Sequence, residues 1–285
     1  MSIPVGNDNQ AALNLVLPLR SWAGLNIVKL ISFIKTKALY EAADQVGTLH
    51  FLRLVDLGAD NQLGFFTAYD GDFRKYIEDF IRCLAPVFDA VFKFVANAPP
   101  LPVAKHSDEF IDWIADHNVE SIGFYSAYPA MTVQDILTRY SGGAATGKGT
   151  QSALTLPLPI KTPANFLAMS QLLPSALPKL FETADRLGNL HFARFIPLSS
   201  TKLMFVCDYD GAEADLVRSF ARELGPVFDS LLEHVVDAPP SPVRDNVEAF
   251  VSWVAARNKP TSLYYRGYPA LKVQDVKAVA ATAAA

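Results

Sequence analysis

A chain of 285 residues that is 51% hydrophobic and 19% charged is globular material, long enough for one large or two medium cores. Its 25 basic and 29 acidic residues give a formal charge of -4, which offers no electrostatic footprint to a phosphate backbone or an anionic membrane, so neither is expected as a partner. The opening MSIPVGNDNQ carries no basic segment followed by an apolar run, and no stretch reaches the roughly 20 apolar residues of a spanning helix, which together predict a cytoplasmic protein.

LNLVLPLR (Leu13 to Arg20) reads as a strand, followed by a helical stretch that ends at ALYEAADQVG with Gly47 as its C-cap. LHFLRLVDL and LGFFTAYD are two branched and aromatic runs separated by GADNQ, the pattern of a hairpin. DFRKYIEDFIRCLAPVFDAVFKFV (Asp72 to Val95) has helical spacing, and Pro86 is expected to kink or split it. A short amphipathic helix over DEFIDWIADHN and a last strand over IGFYSAYP (Ile122 to Pro129) complete the set.

The second half of the chain repeats these phrases at an offset of about 140 residues, far longer than a solenoid unit. GTLHFLR from Gly47 is answered by GNLHFAR from Gly188, FFTAYDG by FVCDYDG, and FYSAYPAMTVQD by YYRGYPALKVQD. This predicts an α+β chain of tandem duplicated ferredoxin-like domains, βαββαβ with an extra helix, at 11–140 and 153–279. The small-residue stretch at 141–152 is the linker between them. Its Gly142, Gly147 and Lys148 have phosphate-loop spacing, but Gly149 stands where a Ser or Thr would hold magnesium. Each sheet covered on one side leaves a face for the other, so the two are expected to pack as an intramolecular α+β barrel. Cys83 and Cys207 are not equivalent in the repeat, which argues against a disulfide or a metal knuckle.

The combination of LHF-x-R, YDG and FYSAYP resembles a group of bacterial proteins that look like relatives of the dimeric α+β barrel superfamily. That superfamily includes antibiotic-biosynthesis-type monooxygenases, dye-decolourising peroxidases and chlorite dismutases. The resemblance spans both repeats and marks the fold. It implies oxidative chemistry and leaves haem open as a cofactor, although the proximal histidine, acidic partner and distal Asp and Arg of such peroxidases find no residue-by-residue match.

The candidate catalytic residues are His50 and His191, equivalent in the repeat and able to act as a base or a ligand near neutral pH. Strand alternation sets His50, Leu52 and Leu54 on one face and Phe51, Arg53 and Val55 on the other, so histidine and arginine should point opposite ways. Arg53 and Arg194 suit a helix carboxylate or an anionic group of a substrate. Asp70 with Asp72, and Asp208 with Asp210, fall where a strand turns into a helix and suit capping. Tyr125, Tyr128, Tyr265 and Tyr268 on the last strands are candidate substrate-binding residues, because a buried tyrosine needs a partner for its hydroxyl. No metal site is expected. The preferred function is a small-molecule enzyme, leaning to an oxidoreductase, acting on an apolar or aromatic substrate. The alternative is a non-catalytic binding module for a hydrophobic ligand or haem, or a partner of a separate oxidoreductase, as monomer or homodimer. Copy asymmetry separates them: an enzyme should gather unmatched polar residues such as Arg266 and Asp208 round one cavity, whereas a binding module should show an apolar cavity without them.

Overall fold

The computed structural model describes residues 9–58, 61–140 and 150–283. In the first half the chain runs β1 (Gln10–Pro18), α1 (Trp22–Ile34), α2 (Thr36–Val46), β2 (Leu49–Asp56), β3 (Gln62–Asp70), α3 (Phe73–Phe92), α4 (Ser107–His117), β4 (Ile122–Ser126) and α5 (Val133–Arg139). In the second half it runs β5 (Gln151–Pro159), α6 (Pro163–Leu187), β6 (Leu190–Ser199), β7 (Lys202–Asp210), α7 (Glu213–Leu232), α8 (Val247–Arg257), β8 (Thr261–Arg266) and α9 (Val273–Ala283). No helix among the described residues is long and apolar enough to cross a membrane.

The chain divides into two compact units. The first holds the described parts of Met1–Glu120, Pro129–Ser141 and Pro260–Tyr268, and the second holds those of Ser121–Tyr128, Gly142–Lys259 and Pro269–Ala285. In the first unit an antiparallel sheet has the order β1-β3-β2-β8. Period-two alternation turns Leu13, Leu15 and Leu17 of β1 and Leu52 and Leu54 of β2 toward the helices, where they meet Ile77, Phe80, Ile81 and Leu84 of α3. That helical spacing puts one stripe of α3 on the sheet, and each such side chain contributes roughly 1.5–3 kcal/mol by leaving water. Phe51, Val55 and Phe66, on the opposite face, are buried as well. In the second unit the order is β4-β6-β7-β5, again antiparallel, with α6 packed on β4 and β6. Both units are mixed α+β with a four-stranded antiparallel sheet, compatible with a ferredoxin-like fold.

Local chemistry explains the boundaries. Ser21 caps α1 by accepting from the Gly24 N–H, Asp72 caps α3 at Lys75, and Thr162 caps α6 at Asn165. Gly47 and Gly188 end α2 and α6 at φ 70 and 64, a left-handed position that glycine takes without a Cβ penalty. Pro86 neither ends nor divides α3, which runs unbroken from Phe73 to Phe92. The loss is confined to one backbone donor, while Leu84 and Ala85 before the proline and Phe92 after it are all buried. The predicted helix before Gly47 is two helices, since the chain leaves helical geometry at Lys35 (φ -94, ψ 8). Two helices not read from the sequence, α5 and α9, follow the last strands. Residues 141–149, including the phosphate-loop spacing, lie outside the described residues, and Gln151 and Ser152 of the expected linker already belong to β5.

The last strands depart most from the expected order. In a ferredoxin-like unit the fourth strand lies beside the first. Here only Asn118 and Val119 take that place: the Val119 N–H donates to Asn14 O (2.9 Å), and the Asn14 N–H donates to Asn118 Oδ1 (2.8 Å). β4 then pairs with β6 in the second unit, and β8 pairs with β2 in the first. Each sheet is therefore completed by the last strand from the other half of the chain.

Candidate functional site

A β-bulge places His50. Leu49 pairs with Tyr69 and Phe51 with Ala68, so one extra residue, His50, is accommodated between them. Its carbonyl accepts from the Gly267 N–H (2.8 Å), which brings the next residue, Tyr268, alongside the imidazole. The extra residue breaks the alternation assumed above. His50 bonds to Asp70, which pairs in register with Gln10, one residue on from the helix-facing Tyr69 and Ala11. Histidine and arginine therefore share the face turned away from the unit's own helices, contrary to the expectation of opposite faces.

The resulting constellation is a chain of hydrogen bonds. His50 Nδ1 lies 2.8 Å from the Tyr268 hydroxyl, and His50 Nε2 lies 2.7 Å from Asp70 Oδ1. Asp70 Oδ2 accepts from the Val133 N–H at the start of α5 (2.7 Å), and the Gln10 side-chain amide donates to Met131 O (2.7 Å). With Asp70 ionised, Nε2 carries the proton and donates, which leaves Nδ1 to accept from the Tyr268 hydroxyl. The second unit repeats the arrangement at the bulge of His191. There Nδ1 lies 2.7 Å from the Tyr128 hydroxyl and Nε2 lies 3.1 Å from Asp210 Oδ1, while Asp210 Oδ2 accepts from the Val273 N–H of α9 (2.8 Å). Both imidazoles are fully buried. Because the last strands are exchanged, the tyrosine from each half of the sequence meets the histidine from the other.

The aspartates are thus divided by role. Asp72 caps α3 as expected, but Asp70 and Asp210 orient the imidazoles and receive the first N–H of α5 and α9, where the helix dipole favours negative charge. As a haem or metal site the residues do not fit. Both ring nitrogens of His50 and of His191 are engaged, so ligating iron would break a buried hydrogen bond to tyrosine or aspartate. Among the described residues no group of three or more His, Cys, Asp or Glu is placed to hold a metal ion.

The other sequence candidates fall in different places. Arg53 and Arg194 are buried, and the Arg53 guanidinium lies 6.0 Å from the centre of the Tyr264 ring. Arg53 shares the sheet face turned away from the helices of its unit. Tyr125 and Tyr265 turn the other way: their hydroxyls donate to Asp185 of α6 (3.0 Å) and Asp44 of α2 (2.7 Å). Burial first, and then the neighbouring aspartate, holds both phenols well above the ordinary value of 10.0. A raised phenol pKa stabilises the fold fully below pH 10.0, and that contribution is lost as pH rises above it, because only the unfolded chain then ionises. Urea midpoints are expected to fall above that pH, and Tyr265→Phe should flatten the fall; an unchanged slope in the variant would contradict this.

A cavity lies on the helix side of the first unit's sheet. Its volume is about 80 Å³, between Leu13, Leu54 and Phe65 of the sheet, Val28 and Ser32 of α1, and Phe88 and Phe92 of α3. The two polar side chains on its wall are turned to the protein: Ser32 Oγ donates to Val28 O (2.9 Å), and the Tyr76 hydroxyl donates to Thr67 Oγ1 (3.0 Å). A void of about 40 Å³ adjoins it and shares Leu39, Leu54, Phe65, Phe80 and Phe88. The second unit holds helix-side voids of about 30 and 20 Å³. Its larger depression, about 230 Å³ beside Leu172 and Pro226, is a surface groove between α6 and α7. Neither Arg266, which belongs to the first unit, nor Asp208, which belongs to the second, lines the cavity. Sequence reasoning gave no sign of it, since a cavity is a small mismatch among many side chains.

No family model and no curated protein matches the chain. Several solved structures align over most of it, among them two candidate monooxygenases and an anthrone oxidase-like protein. A candidate monooxygenase of Lactobacillus acidophilus NCFM is 8% identical, with 91% of this chain and 97% of the other covered and a TM-score of 0.35. A second candidate monooxygenase, from Fusobacterium nucleatum, is 7% identical, with 90% and 94% covered and a TM-score of 0.37. An anthrone oxidase-like protein is 9% identical, with 93% and 96% covered and a TM-score of 0.31. At such identities and TM-scores those names belong to those proteins and carry no argument about this one.

Proposed function

We propose that the chain binds a small apolar or aromatic molecule, held without chemistry in the first unit between the sheet and α1, α3 and α4. The observation that carries this reading is the apolar cavity of about 80 Å³, walled by aromatic and aliphatic carbon and lacking the unmatched Arg266 and Asp208. A cavity lined this way excludes water and gains dispersion contacts when filled, as engineered cavities of roughly twice the size do with benzene. The histidines, on this reading, lock the exchanged strands in place. Tandem duplication, with copies at 11–140 and 153–279, and closure as an intramolecular α+β barrel belong to the same proposal.

Benzene is the simplest probe. At a hundred times its Kd it should stabilise the protein by about 2.7 kcal/mol, read as a rise in the unfolding midpoint. Ser32→Leu, which fills the space from α1, should remove that rise while leaving the protein folded. An unchanged midpoint in the parent protein would sink the proposal, as would an equal rise in the filled variant.

A second reading is favoured by one observation: in both units a phenol, an imidazole and a carboxylate stand in hydrogen-bonded sequence. Such a relay can take a proton from the tyrosine onto a base whose tautomer the carboxylate fixes. An oxidative enzyme of apolar substrates would use it to move protons. This reading requires that Tyr268→Phe abolish turnover of an oxidisable aromatic while its binding persists, and it falls if turnover is unchanged.

A further inference from the structure

The outer surface of α1 presents a row of large apolar side chains. Trp22, Ile27, Leu30, Phe33 and Ile34 are 71%, 39%, 55%, 76% and 65% exposed. Ile27, Leu30 and Ile34 recur at the spacing of one helical stripe, with Trp22 and Phe33 beside it. The inner side of the same helix, Leu25, Val28 and Ser32, is buried. A helix apolar on both sides belongs in the interior or against something that covers it.

The charge around α1 points to what covers it. Arg20 lies just before the helix, Lys35 and Lys37 just after it, and all three are exposed. Lys29 is already paired with Asp56 (2.9 Å), and Lys37 is loosely paired with Glu41 (3.6 Å). No Asp or Glu occurs between Leu19 and Tyr40, in a chain whose total charge is -4. We propose that α1 docks in the plane of an anionic lipid surface, with Trp22, Leu30, Phe33 and Ile34 in the acyl boundary and Arg20, Lys35 and Lys37 among the phosphates. A second copy of the chain fits less well. It would bring two sets of these cations together, and a helix of this length, about 20 Å, offers far less than the roughly 800 Å² per partner of a stable dimer. The proposal stands apart from ligand binding in the cavity, because it concerns the opposite side of α1.

The full chain should co-sediment with phosphatidylcholine vesicles containing phosphatidylglycerol and much less with pure phosphatidylcholine, with a blue shift in Trp22 emission and weakening as salt is raised. Leu30→Glu with Phe33→Glu should reduce sedimentation to background, and Lys35→Glu with Lys37→Glu should weaken it by about tenfold or more. All four positions are exposed, so circular dichroism and Tm should match the parent. The proposal is overturned if the parent protein ignores the anionic vesicles or if the double glutamate variants bind as the parent does. It is equally overturned if the parent is a dimer in sedimentation velocity that Leu30→Glu with Phe33→Glu dissociates, which would assign the face to a second copy.

Discussion

Replacing Asp70 with alanine is expected to destabilise the first unit by about 2–6 kcal/mol, the cost of leaving two buried donors without their acceptor. The carboxylate accepts from His50 Nε2 and from the Val133 N–H, and both donors are buried. Alanine leaves both without that acceptor in a place water does not reach, and each stranded donor costs about 1–3 kcal/mol. The loss should also loosen α5, whose first N–H the carboxylate holds. Asp210→Ala should cost the second unit less, because its contact to His191 is longer, at 3.1 Å. Urea unfolding followed by circular dichroism, fitted with one transition for each unit, reads both values. A loss below about 1 kcal/mol for Asp70→Ala would contradict a locking role for the His50 network.

Phe92→Ala should cost about 3–5 kcal/mol, the range for removing a buried aromatic ring from a core. Phe92 is 3% exposed and stands edge-on to Phe110 and Trp113, with ring centres 4.9 and 5.3 Å away. Its ring is also part of the cavity wall. Truncation therefore enlarges an apolar space that already exists, and larger apolar probes gain room. Indole should stabilise Phe92→Ala more than it stabilises the parent, measured as the shift in midpoint at equal probe concentration. Equal shifts would mean that the probe sits elsewhere.

Much of this architecture is legible in the sequence, for physical reasons that also mark where legibility ends. The strands of the first sheet announce themselves through branched and aromatic runs, and Gly47 and Gly188 end helices as their lack of a Cβ allows. α5 was within reach, since Thr132-Val-Gln-Asp135 forms a capping box, with the Thr132 side chain on the Asp135 N–H and the Asp135 carboxylate on the Thr132 N–H. The direction of His50 was not. Counting alternate residues assumes an unbroken ladder, and the bulge at His50 adds a residue that no local pattern signals. The pairing of His50 with Tyr268 depends on β8 lying beside β2, an exchange of last strands set by long-range packing. Net charge is blind to local distribution in a similar way. A total of -4 says little about a segment in which Arg20, Lys29, Lys35 and Lys37 occur with no Asp or Glu between Leu19 and Tyr40 in the sequence.

His50 and the cavity lie on opposite faces of the first unit's sheet, and this separation gives the account its shape. A network with both imidazole nitrogens engaged holds the strands, while the space for a guest is walled by carbon on the other side. The most direct test is diffraction from a crystal held under xenon, a probe that fills apolar cavities and ignores polar ones. The expected result is a xenon peak in van der Waals contact with Leu54, Phe65 and Phe88 of the first unit, and weaker or no occupancy in the voids beside Leu177 and Phe228 of the second. No xenon at Leu54, Phe65 and Phe88, or equal occupancy in both units, would contradict it.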